Sequence, residues 1–105
     1  MEARMHLVQI LLPRSDNAGE PFANDDFDRV KDELAATFKG VTAYFRTPAE
    51  GVWKPGKQSD TDEIVIFEVM TDEVDLPDWQ RRRAELERRF RQDEIIIRYL
   101  PMALV

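Results

Sequence analysis

The sequence contains no cysteine, which excludes disulfide bonds, thiolate metal sites and cysteine nucleophiles. It has a single histidine, His6, and a lone histidine has no partner ligand with which to hold zinc. No glycine-rich phosphate-binding motif stands between a strand and a helix. The sequence therefore predicts neither a metal site nor a bound cofactor. His6 itself is either a solvated residue at the start of a strand or a general base beside the sheet.

Long apolar runs are also absent. The longest covers about four residues, at positions 64–67, whereas roughly 20 are needed to cross a bilayer. No secretion signal is visible, because the acidic Glu2 follows the first residue and no small-residue cleavage site is present. We therefore expect a cytoplasmic protein with no membrane partner.

Positive charge is scarce, since 21 acidic residues outnumber 15 basic ones and the net charge is −6. This balance argues against nucleic acid as a partner. One segment is an exception, because it carries Arg81, Arg82, Arg83, Arg88, Arg89 and Arg91. Glu85 lies at helical spacing from four of these arginines. A solvated, salt-bridged helix face is therefore favoured over a patch that binds phosphate or an acidic partner.

The chain has 105 residues, of which 43% are hydrophobic, so it is the size of one domain with one core. Hydrophobic periodicity predicts strands at 5–12, 41–46, 64–70 and 94–100, and helices from about 24 to 39 and 77 to 91. The order strand, helix, strand, strand, helix, strand is typical of a split βαβ fold. Right-handed crossovers then place both helices on one face of an antiparallel sheet of strand order 4-1-3-2. We predict a single ferredoxin-like α+β domain spanning residues 1–105.

Local signals predict where these elements begin and end. Asn24 or Asp25 is expected to cap the first helix, and Gly40 to end it in a left-handed conformation. Pro48 is expected to end the second strand, and Pro101 the fourth. Segment 47–63 holds two prolines and two glycines, and is predicted to be a long loop of the functional or disordered kind.

Side chains alternate along a strand, so each strand has a helix-facing side and an open side. The helix-facing residues are predicted to be Val8, Ile10, Leu12, Val41, Ala43, Phe45, Val65, Phe67, Val69, Ile95, Ile97 and Tyr99. The open side is predicted to carry Leu7, Gln9, Leu11, Thr42, Tyr44, Arg46, Ile64, Ile66, Glu68, Met70, Ile96, Arg98 and Leu100. An apolar surface with a few convergent polar groups is typical of a ligand site.

The polar residues expected on that open side come from four different strands. The candidate ligand-binding residues are Gln9, Tyr44, Arg46, Glu68 and Arg98, together with Trp53 from the predicted loop. Glu68 among apolar neighbours is a candidate general base, and a nearby Arg98 would keep it ionised. In the alternative interpretation a partner chain or the loop covers this apolar face, and Glu68 pairs with Arg98 across a dimer interface. Trp53 either closes over the open side or anchors the loop on the core.

Two segments, FKGVTAYFRTPAEGVWK at 38–54 and DEIVIFEVM at 62–70, resemble small bacterial domains of unknown function. The element order and the mixed open side resemble the ferredoxin-like families that dimerise sheet to sheet, the dimeric α+β barrels. This resemblance implies a homodimer, and it groups the chain with small-molecule monooxygenases, ligand-binding regulators and proteins of no known activity. The cofactor-independent monooxygenases of that group use histidine, asparagine or tryptophan near the open side, and no residue here matches closely enough to carry over a role.

Three functions follow as hypotheses. In the first, a homodimer holds a small organic ligand between the open side of the sheet and segment 47–63. In the second, the open side is only an interface of a structural or protein-interaction module. In the third, the chain is a cofactor-independent, monooxygenase-like enzyme. Fold analogy by itself does not decide among them.

Overall fold

In this computed structural model, the described residues are 5–50 and 61–105, with side chains described for 5–45 and 63–105. The elements are β1 (Met5–Pro13), α1 (Asn24–Thr37), β2 (Gly40–Glu50), β3 (Thr61–Thr71), α2 (Leu76–Arg89) and β4 (Ile96–Met102). All strand pairs are antiparallel, and the strand order is β2-β3-β1-β4. The predicted ferredoxin-like α+β fold and its strand order are therefore confirmed.

The core lies between one face of the sheet and the two helices. Helix α1 buries Phe27, Val30 and Leu34, which are three and four residues apart and so share one face. We call residues 76–91, which are α2 and the two residues after it, the second helical segment. It buries Trp79, Leu86 and Phe90. The sheet contributes Val8, Ile10, Leu12, Val65, Phe67 and Val69, as the alternation predicts, and Ile95, just before β4, is buried with them. Burying each such side chain contributes about 1.5–3 kcal/mol before entropy is counted.

Two aromatic residues predicted to face the helices are only partly covered. Phe45 is 42% exposed although its ring contacts those of Phe27 and Phe67, and Tyr99 is 50% exposed beside His6. Both residues lie on the edge strands β2 and β4, where the helix layer gives less cover. The face was predicted correctly for both residues, and the helices cover them only in part.

The start of α1 differs from the prediction that Asn24 or Asp25 caps it. The N-cap is Ala23, in an extended conformation (φ −68°, ψ 148°), and no side chain accepts a hydrogen bond there. Phe22, just before the cap, packs edge-on against Phe27 with ring centroids 6.3 Å apart. An apolar contact between these two positions is a hydrophobic staple. This contact, rather than a polar cap, defines how the chain enters the helix.

The end of α1 also differs from the prediction. The helix stops at Thr37, and Phe38 is already extended, with φ −117°. Gly40 starts β2 and does not have a positive φ, so the predicted left-handed ending was wrong. A Cβ there would lie 2.5 Å from the terminal methyl of Met70, which is the far end of a flexible side chain and can move aside.

Helix α2 begins as its sequence suggests, with Pro77 in its first turn and the Asp75 side chain accepting a hydrogen bond from the Asp78 amide at 3.1 Å. It ends at Arg89, two residues before the predicted end.

The edge strands pass through prolines that were expected to end them. Pro48 pairs with Glu63 after a register shift in β2, and Pro101 pairs with His6 within β4. An edge strand tolerates proline because one side of its backbone has no partner strand. The predicted loop 47–63 is consequently shorter, since residues 47–50 and 61–63 belong to strands. Residues 51–60 lie outside the described part of the chain.

The arginines of the second helical segment are paired with acidic side chains. The pairs are Arg81–Asp78, Arg82–Asp78, Arg83–Glu87, Arg88–Glu85, Arg89–Glu33 and Arg91–Asp16. Arg82 additionally lies over the rings of Phe38 and Trp79, at 5.3 and 5.5 Å from their centroids. This arrangement supports a salt-bridged helix face, although the predicted hub, Glu85, pairs with Arg88 alone among the ion pairs of the described residues. In the described residues no helix has the length and apolarity to cross a membrane.

The uncapped start of α1 generates a prediction. Ala23→Ser should raise the free energy of unfolding by about 0.5–1 kcal/mol, because a serine at an N-cap accepts a hydrogen bond from a free amide of the first turn. Urea unfolding followed by circular dichroism measures the change. Ala35→Ser, at an exposed position inside the same helix, is the matched control and should be neutral or slightly destabilising. Equal effects of the two substitutions would contradict the missing-cap explanation.

Candidate functional site

The register of the sheet brings four strands together at one level. Gln9 on β1 pairs with Glu68 on β3 and with Arg98 on β4. Glu68 pairs on its other side with Thr42 of β2. Tyr44 is two residues further along β2, so it is a diagonal neighbour of Glu68 and within reach of a long side chain. The side chains predicted to converge on the open side therefore do lie next to one another.

Hydrogen bonds join three of these side chains in series. Arg98 Nε donates to Gln9 Oε1 at 2.7 Å, and Gln9 Nε2 donates to Glu68 Oε2 at 2.9 Å. The amide is thus oriented by a cation on one side and an anion on the other, as its two ends require. We call Tyr44, Glu68, Gln9 and Arg98 the polar row.

Tyr44 completes the polar row on the β2 side. The negative charge of Glu68 is the main cause of a raised pKa of the Tyr44 phenol, followed by hydrogen bonding with the same carboxylate and by partial desolvation. The phenol therefore keeps its proton at neutral pH. It is 46% exposed, so it can contact Glu68 and still meet a molecule arriving from solvent.

Apolar side chains flank the polar row. They are Leu7, Leu11, Ile64, Ile66, Met70, Ile96 and Leu100, on the same face of the sheet. Leu100 is 43% exposed, and the others are half-buried. In the described part of the chain, nothing seals this surface from solvent. We call the whole surface opposite the helices the open face.

The structure treats the candidate residues differently. It brings Gln9, Tyr44, Glu68 and Arg98 together, while the side chain of Arg46 and all of Trp53 lie outside the described residues. Sequence reasoning did not include Thr42 among the site residues, although its hydroxyl-bearing side chain is on the open face directly across from Glu68. The signal that would have found it is the pairing register, which becomes known only once β2 and β3 are aligned.

His6, considered as a general base, is on the other side of the sheet. Its Nδ1 lies 3.1 Å from the carbonyl oxygen of Asp72, and its ring meets Tyr99 edge-on at 6.1 Å. Its register position alternates with that of Gln9, so it faces away from the polar row. His6 therefore has no direct role at the open face.

A concave region lies on the helix side of the sheet, away from the polar row. A cavity of about 620 Å³ separates α1 from α2, above Leu34, Trp79 and Leu86. These three side chains are at most 5% exposed, and the arginines on the rim are already paired with acidic groups. The charged groups around this cavity are already paired with each other, so a ligand there would find few available polar groups, in contrast to the polar row.

The polar row supplies hydrogen bonds and charge. Across residues 5–45 and 63–105, no group of three or more histidine, aspartate and glutamate side chains is placed to hold a metal ion. Glu68 is a charged acceptor, and the hydroxyls of Tyr44 and Thr42 can both donate and accept. At the opposite end, Arg98 presents a guanidinium whose Nε is engaged by Gln9.

Comparisons with known proteins give a fold and no family. No protein family model matches the chain, and no curated protein matches it. Among solved structures, a phage SAM lyase in complex with S-methyl-5'-thioadenosine matches with a TM-score of 0.68 and 12% sequence identity. The match covers 100% of this chain and 86% of the lyase chain. At this identity the likeness concerns the fold alone.

The contact between Tyr44 and Glu68 generates a prediction. In a Tyr99→Phe background, Tyr44 is the only tyrosine, and its alkaline ultraviolet titration should give a pKa above the ordinary value of about 10. Adding Glu68→Gln removes the nearby charge and should lower that pKa. Glu63→Gln, on the same strand but at a position facing the other way, is the matched control and should leave the titration unchanged. If Glu68→Gln left the pKa of Tyr44 unchanged, Glu68 would not be the cause of the raised pKa.

The same shift sets the sign of a pH effect on stability. A pKa that is raised on folding means that the folded state disfavours the phenolate. The associated stability is present below about pH 10 and is lost as pH rises through the folded-state pKa of Tyr44. Glu68→Gln should therefore reduce the loss of stability at alkaline pH, measured by urea unfolding as a function of pH.

Proposed function

We propose that this protein binds a small organic ligand on the open face, at the end of the polar row formed by Tyr44 and Glu68. The observation that carries the proposal is the placement of a partly exposed phenol diagonally beside a carboxylate, on a sheet surface where apolar side chains flank the polar ones. Water competes less well for such groups when an apolar body covers the neighbouring side chains. Ligand-binding sites typically combine a mostly apolar surface with a few polar groups that orient the ligand.

The polar groups at this end favour a particular ligand chemistry. Glu68 accepts hydrogen bonds and carries a negative charge, and the hydroxyl oxygens of Tyr44 and Thr42 offer further acceptors. The complementary ligand carries N–H or O–H donors, such as an amine or a pair of hydroxyls. Ile66 and Met70, which neighbour Glu68 on the same face of β3, suit an apolar or aromatic body.

Gln9 and Arg98 do not contact the ligand in this proposal, and they act by orienting Glu68. The amide of Gln9 holds one carboxylate oxygen of Glu68 at 2.9 Å, and Arg98 orients that amide at 2.7 Å. A carboxylate held in this way loses little side-chain entropy when a ligand binds. We assign Gln9 and Arg98 as positioning residues for Glu68.

The structural neighbour is compatible with this proposal. The phage SAM lyase of similar fold is in complex with S-methyl-5'-thioadenosine, so a fold of this type accommodates a small organic molecule in that protein. Cytoplasmic action, and participation of segment 47–63 in covering the ligand, remain part of the proposal.

A thermal-shift screen tests the proposal. We expect nucleosides or aryl amines to raise the melting temperature, and their carboxylate counterparts to have no effect, because the site presents acceptors and a negative charge. One kcal/mol of binding-linked stability corresponds to about 4–8 °C in a domain of this size. Glu68→Gln should weaken the affinity of the best compound by roughly tenfold or more, since a hydrogen bond to a charged group contributes about 1.5–3 kcal/mol.

The second tyrosine of the chain supplies the control for that screen. Tyr99→Phe alters a half-exposed tyrosine on the other face and should leave binding intact, whereas Tyr44→Phe should reduce it. The proposal fails if no donor-bearing compound stabilises the protein, or if Glu68→Gln binds such a compound as tightly as the unmodified chain.

A further inference from the structure

Arg98 uses only part of its hydrogen-bonding capacity within the domain. Its Nε donates to Gln9 Oε1 at 2.7 Å, whereas the remaining N–H groups of a guanidinium are on its two terminal nitrogens. Across residues 5–45 and 63–105, those terminal nitrogens have no hydrogen-bond or ion-pair partner. Arg98 is an exposed residue, so they are accessible from solvent. The β4 end of the polar row therefore presents a positive charge to an arriving molecule.

The setting of Arg98 differs from that of the arginines of the second helical segment. Each of those arginines has an acidic partner, whereas the group that holds Arg98 is the neutral amide of Gln9. The whole chain has a net charge of −6, so the positive end of the polar row is a local feature of the open face. Because the terminal nitrogens form a planar fork, they match the two oxygens of a carboxylate or phosphate.

The Gln9 amide fixes the distance between the two charged ends of the polar row. Hydrogen bonds of 2.7 and 2.9 Å join its oxygen to Arg98 and its nitrogen to Glu68. With one amide group between them, Arg98 Nε and Glu68 Oε2 lie about 8 Å apart at most. Strands β3 and β4, on either side of β1, are themselves about 10 Å apart. A molecule that reaches both ends must therefore span about 8–10 Å.

The surface between the two ends is apolar on both sides. Leu7 and Leu11 lie two residues before and after Gln9 on β1, so they flank it on the same face. Ile96 and Leu100 flank Arg98 in the same way on β4. An elongated apolar or aromatic body that lies across the strands over Gln9 would remove these side chains from water. It would also reduce the competition by water for the hydrogen bonds at both ends.

We propose that the terminal nitrogens of Arg98 form an oxyanion subsite, and that the ligand of the open face is a dipolar molecule with N–H donors at Tyr44 and Glu68 and a carboxylate or phosphate at Arg98. A guanidinium binds either anionic group through two parallel hydrogen bonds. The bond to Gln9 already restrains the Arg98 side chain, so less side-chain entropy is lost when the anion binds. Arg98 then has two roles, because its Nε orients Gln9 and its terminal nitrogens bind the ligand.

This inference rests on the proposed function and narrows the class of ligand. A molecule with an anionic group alone is attracted by Arg98 but repelled by Glu68 at the other end of the polar row. A molecule with donors alone binds at Glu68 and leaves Arg98 to water. Only a molecule that carries both groups at the right separation gains at both ends, so selectivity comes from repulsion as well as attraction.

Two aryl amines that differ in one charge test the subsite. They are p-aminophenylbutanoate and its methyl ester, which share the amine and the aromatic body and differ at the far end. In isothermal titration calorimetry, the unmodified chain should bind the carboxylate roughly tenfold or more tightly than the ester, because hydrogen bonds between charged groups are the stronger ones. Adenosine monophosphate and adenosine are the corresponding pair for phosphate. A preference for the anion in either pair supports the subsite and identifies the oxyanion.

The Arg98→Gln variant separates direct contact from the positioning of Glu68. A loss of positioning weakens the carboxylate and the ester equally, whereas a loss of direct contact weakens the carboxylate more, so the preference should disappear. Arg29→Gln removes the same charge from the exposed side of α1 and is the matched control, which should keep the preference. The shorter p-aminobenzoate should show no advantage over its own methyl ester, because it cannot reach both ends of the polar row.

The outcomes distinguish this inference from the proposed function. Circular dichroism verifies that each variant is folded. If both anionic compounds bind the unmodified chain no better than their neutral counterparts, the subsite is overturned and the proposed function stands. A carboxylate that keeps its advantage in Arg98→Gln overturns the subsite as well. If none of these compounds binds, the proposed function fails and this inference fails with it.

Discussion

Strand β1 lies between β3 and β4, and its pairing with both neighbours decides where the side chains of the open face meet. Gln9 stands opposite Glu68 on one side and Arg98 on the other. A slip of one residue in either pairing would turn an entire set of side chains to the other face. The burial of Val8, Ile10 and Leu12 opposes such a slip, because these apolar side chains would then face solvent. The core therefore holds the polar row in place without touching it.

Charged side chains are paired differently on the two sides of the domain. On the helix side, the arginines of the second helical segment meet acidic groups at the surface, where such pairs contribute little to stability but neutralise an otherwise basic patch. On the open face, Glu68 and Arg98 do not meet directly and are joined through the Gln9 amide. On the helix side, each of these arginines is neutralised by an acidic residue of the same chain. The arrangement on the open face leaves part of its hydrogen-bonding capacity available for another molecule, which is why the functional proposals concern the open face.

The edges of the sheet show how local and tertiary preferences interact. Pro48 and Pro101 are poor strand residues in isolation, yet both lie in strands because β2 and β4 have a neighbour on one side only. Gly40 was expected to end α1 and instead lies in β2, paired with Met70 of β3. At these three positions the chain follows the sheet rather than its own local propensity, and the boundary inferred from each single residue failed.

The sequence by itself determined the order of the elements, and it placed Gln9, Tyr44, Glu68 and Arg98 on one face of the sheet. These properties follow from periodicities of two residues in strands and 3.6 in helices. Such periodicities can be read from the local sequence without knowing which strands pair. Only the tertiary structure decided which of those residues touch, because contact depends on the register between strands that are far apart in the chain. It joined Gln9 to Glu68 across 59 positions and to Arg98 across 89. It also added Thr42, and it replaced a polar cap on α1 with the contact between Phe22 and Phe27, since pairing and packing are properties of the assembled chain.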